Sequence, residues 1–160
     1  MKKMMVLMLT AMVALVISAC SNDKSETIEV KESAKEMADK MVTEVEQPAQ
    51  IELSEEQLKD FYNIDASKLE DFTVRMPMMN VKTNEIAIFK VKDAKDVAEI
   101  EAAAKERAEN VAKQFEQYLP DQYENAKNYK IVTKGNYVLM VISESADELI
   151  KVYESFFEEK

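Results

Sequence analysis

Histidine is absent from this chain of 160 residues. That excludes imidazole acid–base catalysis and every metal site built on histidine. Cysteine occurs once, at Cys20, so no disulfide can staple the fold and stability must come from packing. Glycine also occurs once, at Gly135. There is therefore no glycine-rich run to cradle phosphate, and no helix start follows Gly135. The acidic stretches lack the spacing and the glycine of a calcium-binding EF-hand loop. Long hydrophobic runs are missing too. The longest, Met4 to Ile17 with Thr10 interrupting it, falls short of the roughly 18 residues of a spanning helix.

What is present begins with a leader. Lys2 and Lys3 precede the apolar run, and Ile17-Ser18-Ala19-Cys20 closes it. This pattern reads as a lipobox, the recognition site of a lipoprotein signal peptidase, with residues 1–19 as signal peptide and Cys20 as the lipidated residue. Two or more acyl chains, palmitate among them, hold such a protein on a cell membrane, each buried methylene adding about 0.8 kcal/mol. The expected address is the extracytoplasmic face, with lipid as the anchor. Cleavage removes two of the 21 basic residues, leaving 19 against 31 acidic ones and a formal charge of −12. Such a surface repels phosphate backbones and anionic lipids, so nucleic acid is not an expected partner.

Residues 20–32 read as lipidated cysteine and flexible tether, and residues 33–160 as a single domain. Ser33 with Glu36 forms a capping box that opens a helix with Ala34, Met37, Ala38, Met41 and Val45 on one stripe. Gln47-Pro48 ends it. Ser54 with Gln57 opens a shorter helix bearing Leu58, Phe61 and Tyr62. Residues 72–78 alternate as a half-buried strand, which Pro77 assigns to a sheet edge because it cannot donate to a ladder. Residues 85–91 are apolar on both faces, hence central. Asp93 caps a long helix with Val97, Ile100, Ala104, Ala108, Val111, Phe115 and Tyr118 on its stripe, stopped by Leu119-Pro120; residues 121–128 add a further helical turn. Residues 129–133 and 137–142 form a hairpin whose turn holds Gly135, at a position that calls for positive φ. Ser145 with Glu148 reads as a third capping box, opening a final helix through Leu149, Ile150, Tyr153, Phe156 and Phe157.

These elements predict an α+β fold: a four-stranded antiparallel sheet built from two hairpins in the order 1-2-4-3. That order keeps every pairing antiparallel and puts the two strands that are apolar on both faces in the middle. The long central helix and the C-terminal helix are expected to cover one face together, and two N-terminal helices the other. A partner protein, a second copy or a bound ligand are the other covers that the second face admits.

Three segments carry a family resemblance: Asn84-Glu85-Ile86-Ala87-Ile88-Phe89, Tyr118-Leu119-Pro120 and Lys134-Gly135-Asn136-Tyr137-Val138. In this order behind a lipobox, they resemble a family of bacterial lipoproteins known as domain of unknown function 4358, over about residues 35–157. The resemblance implies a membrane-anchored extracytoplasmic domain and supplies no activity and no catalytic residues. The residues themselves add none. With Cys20 consumed by lipid, only a serine–lysine arrangement (Ser143 or Ser145 with Lys134) or a pair of carboxylates is left for catalysis, so no enzyme, cofactor or metal is expected. Two readings follow: an accessory module that binds another envelope protein, or a capture protein for a small ligand or peptide. The second would show a cavity lined by aromatics such as Tyr62, Tyr118, Tyr123 and Tyr137.

Overall fold

The computed structural model describes residues 28–158. Ile17, Ser18, Ala19 and Cys20 lie outside the described residues. Five helices, α1 (Ala34–Glu44), α2 (Glu55–Tyr62), α3 (Val97–Phe115), α4 (Pro120–Lys127) and α5 (Ala146–Glu154), surround five strands. The strands are β1 (Gln50–Glu52), β2 (Leu69–Pro77), β3 (Glu85–Val91), β4 (Lys130–Lys134) and β5 (Tyr137–Ile142). They form one antiparallel sheet in the order β1-β2-β3-β5-β4.

The sheet thus has five strands, and the expected four-stranded sheet is corrected. The extra strand is Gln50-Ile51-Glu52, which pairs with Pro77, Met76 and Arg75. Three residues between Pro48 and Ser54 are too few to show a period of two, so no sequence pattern announced them. Pro77 misled for a related reason. It is the last residue of β2, where its missing N–H costs the ladder nothing, and Met78 resumes the bonding by donating to the Ala49 carbonyl at 2.9 Å. An interior strand can therefore end in proline.

The covering layers also differ from expectation. Val74, Ala87, Phe89, Val138, Met140 and Ile142 face a core shared with α2, α3 and α4. Ile86, Ile88, Tyr137, Leu139 and Val141 face the other way, onto α1 and α5. The long helix and the final helix therefore lie on opposite faces, and the two N-terminal helices are split between them. Both faces of β3 and β5 are buried, as central strands with apolar residues on each side require.

Local signals explain most boundaries. At α1, the Ser33 side chain accepts from the Glu36 N–H and the Glu36 carboxylate accepts from the Ser33 N–H at 2.8 Å, a reciprocal cap. Asp93 accepts from the Lys95 N–H, which caps a 3₁₀ turn leading into α3 rather than α3 itself. The third expected capping box does not form: Ser145 makes no side-chain cap bond, and its own N–H donates to Ser143 Oγ. Gly135 takes φ 56° at the first position of the β4–β5 turn, where a side chain would be strained.

Candidate functional site

β3 has two chemically different ends. At its Val91 end the chain enters the domain: the Ile28 N–H donates to Asn136 Oδ1 at 2.9 Å, and Glu29 pairs with Lys90 at 2.9 Å. Lys90 also bonds Glu70 at 2.7 Å. Burial opposes the Lys90 charge, but the two carboxylates more than offset it and hold the ammonium above its ordinary pKa. Residues 28–30, at the far end of the expected tether, thus lie against the turn of the β4–β5 hairpin.

The Glu85 end carries the candidate site. Glu85 opens a strand whose other residues up to Phe89 are apolar, and its side chain is buried. Arg107 reaches it from the middle of α3 with two bonds, Nε to Oε1 at 3.0 Å and Nη2 to Oε2 at 2.7 Å. The Tyr62 hydroxyl, from the last residue of α2, donates to Oε1 as well. Three elements thereby meet on one carboxylate. Burial, then the Glu85 charge, pushes the Tyr62 hydroxyl well above its usual pKa, so it stays a donor. Burial works against the Arg107 charge too, but its bonds to Glu85 prevail and raise its pKa further. The Phe61 ring lies 5.1 Å from the guanidinium and shields its outer side.

Above this cluster lies a cleft of about 400 Å³. Its walls are Met76 and Pro77 at the end of β2, Met78, Met79, Asn80, Lys82 and Thr83 in the following loop, and Arg107, Val111, Gln114 and Phe115 of α3, with Tyr118 beyond the helix. The rim is apolar and exposed: Tyr118 is 65% accessible, Met78 62% and Met79 55%. The loop is nevertheless held firmly at its base. Thr83 donates from its N–H to Gln122 Oε1 at 3.0 Å and accepts from Asn125 Nδ2 at 3.0 Å, both on α4 and both buried. A rigid base with an exposed methionine tip is a surface suited to binding, since methionine adapts its shape to an apolar partner.

The aromatics expected to share a cavity do not. Tyr62 is buried under the cleft, Tyr118 stands on its rim, Tyr123 lies beside Lys127, and Tyr137 packs into the opposite face of the sheet. Nor do serine and lysine meet: Ser143 bonds Gln47 at one end of the sheet, while Lys134 pairs with Glu154 at the other. Among the described residues, no group of three or more histidine, cysteine, aspartate or glutamate side chains could hold a metal ion, and no helix is long and apolar enough to cross a membrane.

Sequence reasoning missed the Glu85–Arg107–Tyr62 cluster, although two signals were there. Glu85 is an acid at the head of a strand apolar on both faces. Arg107, one of only two arginines in the chain, sits beside Ala104 and Ala108 on the buried side of α3. Both residues break an apolar pattern, and each compensates the other.

No curated protein and no solved structure matches the chain. Residues 43–143 match the family described as Domain of unknown function (DUF4358), a span that takes in both ends of β3, the methionine loop and the hairpin of Gly135. That is more than half of the sequence, and the chain belongs to this family.

Proposed function

We propose that the protein is a lipid-anchored accessory module on the extracytoplasmic face of a cell membrane, which binds another envelope protein through the cleft above Arg107. The observation that carries this reading is polarity. The chain enters at the Val91 end of β3 and the apolar rim lies at the Glu85 end, six residues away or about 20 Å along the strand. Seven residues lie between Cys20 and Ile28, and the eight steps from one to the other reach at most about 29 Å. A lipid on Cys20 would hold the entry end near the bilayer and turn the cleft away from it, toward other proteins.

Binding is favoured over catalysis by the state of the charged groups. Both Glu85 oxygens are occupied by Arg107 and Tyr62, so this carboxylate is not a free base or nucleophile. Exposed methionines and tyrosine around a concave floor suit a protein segment. The test is photo-cross-linking in cells, with the reactive group at position 79 of the full chain. One protein adduct is expected from position 79 and none from position 134 at the other end of the sheet. The Cys20→Ser chain should lose both the adduct and the membrane fraction. Absence of an adduct, or a Cys20→Ser chain that stays membrane-bound at mature size, overturns the reading.

A further inference from the structure

The charge inside the cleft identifies its occupant more closely. Glu85 and Arg107 neutralise each other on the floor. Lys82 remains. It lines the cleft, it is only partly exposed, and its ammonium has no acceptor among the described residues. The other partly exposed or buried lysines, Lys68, Lys90 and Lys134, each pair with a carboxylate. In a domain with a large excess of acids, this half-buried lysine has no ion pair among the described residues, and it shares the methionine-lined cleft with Met79 and Tyr118.

We propose that the cleft binds a protein segment that combines bulky apolar side chains with a nearby carboxylate, the apolar groups resting on Met76, Met78, Phe115 and Tyr118 and the carboxylate pairing with Lys82. This rests on the reading of the cleft as a docking site and specifies its chemistry. A carboxylate brought to Lys82 meets a cation already partly stripped of water by the cleft walls, where a charge pair is worth more than on open surface. The apolar contacts add area but little selectivity. The charge supplies the selectivity, because a basic segment would set a second cation against the unpaired Lys82. An anionic membrane offers similar chemistry, but the domain's net negative charge repels a sheet of anionic headgroups as a whole, while a single short segment meets only the local field of the cleft.

The test pans a displayed library of short random peptides on the lipidated chain in detergent micelles. The expected consensus places aspartate, glutamate or a free C-terminus next to leucine, methionine or phenylalanine. A synthetic peptide of that consensus should bind about tenfold more weakly to Lys82→Glu and to Tyr118→Ser. It should bind unchanged to Lys31→Glu, which alters an exposed lysine near the entry end of the sheet. Binding should also weaken as salt rises. A consensus without acids, a basic consensus, no enrichment, or binders indifferent to Lys82→Glu overturns the proposal. So does self-association lost in Lys82→Glu, which makes a second copy the occupant, or Lys82-dependent capture of the Cys20→Ser chain by phosphatidylglycerol vesicles. The cross-link from position 79 separates the two levels: a protein adduct whose segment is apolar and basic leaves the docking function standing and removes only this chemistry.

Discussion

Two buried tyrosines, one on each face of the sheet, are accommodated in opposite ways. On the face covered by α2, α3 and α4, Tyr62 is buried with its hydroxyl bound to Glu85, which Arg107 neutralises. On the face covered by α1 and α5, Tyr153 is equally enclosed, but its hydroxyl has no partner among the described residues. Its ring stacks edge-on to Phe157, 5.0 Å away. Tyr153 serves as bulk and its hydroxyl is left at a loss, whereas Tyr137 on the same face keeps Val30 and Lys90 as polar neighbours of its hydroxyl. The first face builds a compensated polar cluster, although a packed apolar core of the same volume would stabilise the fold as well or better. The cluster lies directly under the cleft, and Glu85 and Arg107 form part of its floor.

The sharpest way to break this comparison is Arg107→Ala. It leaves Glu85 buried without its counter-charge and should lower stability by about 3–5 kcal/mol in a denaturant titration. The double variant Arg107→Met with Glu85→Leu should recover most of that loss while changing the cleft floor. If the double variant is as unstable as the single one, the pair is structural rather than a device of the cleft.

On the other face the expected cost is one of packing alone. Met41 is fully buried between α1 and the sheet, so Met41→Ala should cost about 3 kcal/mol through lost transfer energy and a cavity. It should leave peptide binding in the cleft unchanged, as measured by fluorescence anisotropy. A loss of both would show that the two faces are coupled.

Alkaline pH probes both tyrosines at once. Burial raises the pKa of Tyr62 and of Tyr153 above the ordinary value near 10, so the unfolded chain loses these protons first. Stability should therefore be intact below about pH 10 and fall above it, by up to about 1.4 kcal/mol per pH unit for each tyrosine. Melting curves of Tyr153→Phe between about pH 9 and 11 should show a shallower fall than the parent. Identical slopes would mean that Tyr153 titrates freely.

The smallest effect is at neutral pH. Tyr153→Phe deletes an unsatisfied buried hydroxyl and keeps the ring, so it should be neutral or stabilise by up to about 1 kcal/mol. Tyr62→Phe removes a donor from Glu85 and should destabilise instead. Equal changes in the two variants would erase the contrast between the two tyrosines.

Period and punctuation in the sequence determined a great deal by themselves. The stripe from Val97 to Phe115, the reciprocal cap of Ser33 with Glu36, the lone Gly135 at positive φ and the doubly apolar runs of β3 and β5 are local patterns, legible because helix and strand impose fixed repeats on neighbouring residues. The family, too, was readable from short segments in order. Only the tertiary structure decided the rest. Strand β1 exists because Gln50-Ile51-Glu52 finds the free edge of β2, not because its own three residues favour a strand. The division of helices between the faces depends on how long-range packing shares the apolar area, which no helix encodes alone. Glu85, Arg107 and Tyr62 are far apart in sequence and meet on one carboxylate, while Lys82 lines the cleft above them without an ion pair among the described residues. Such sites depend on distances between segments, and the local sequence pattern contains none of them.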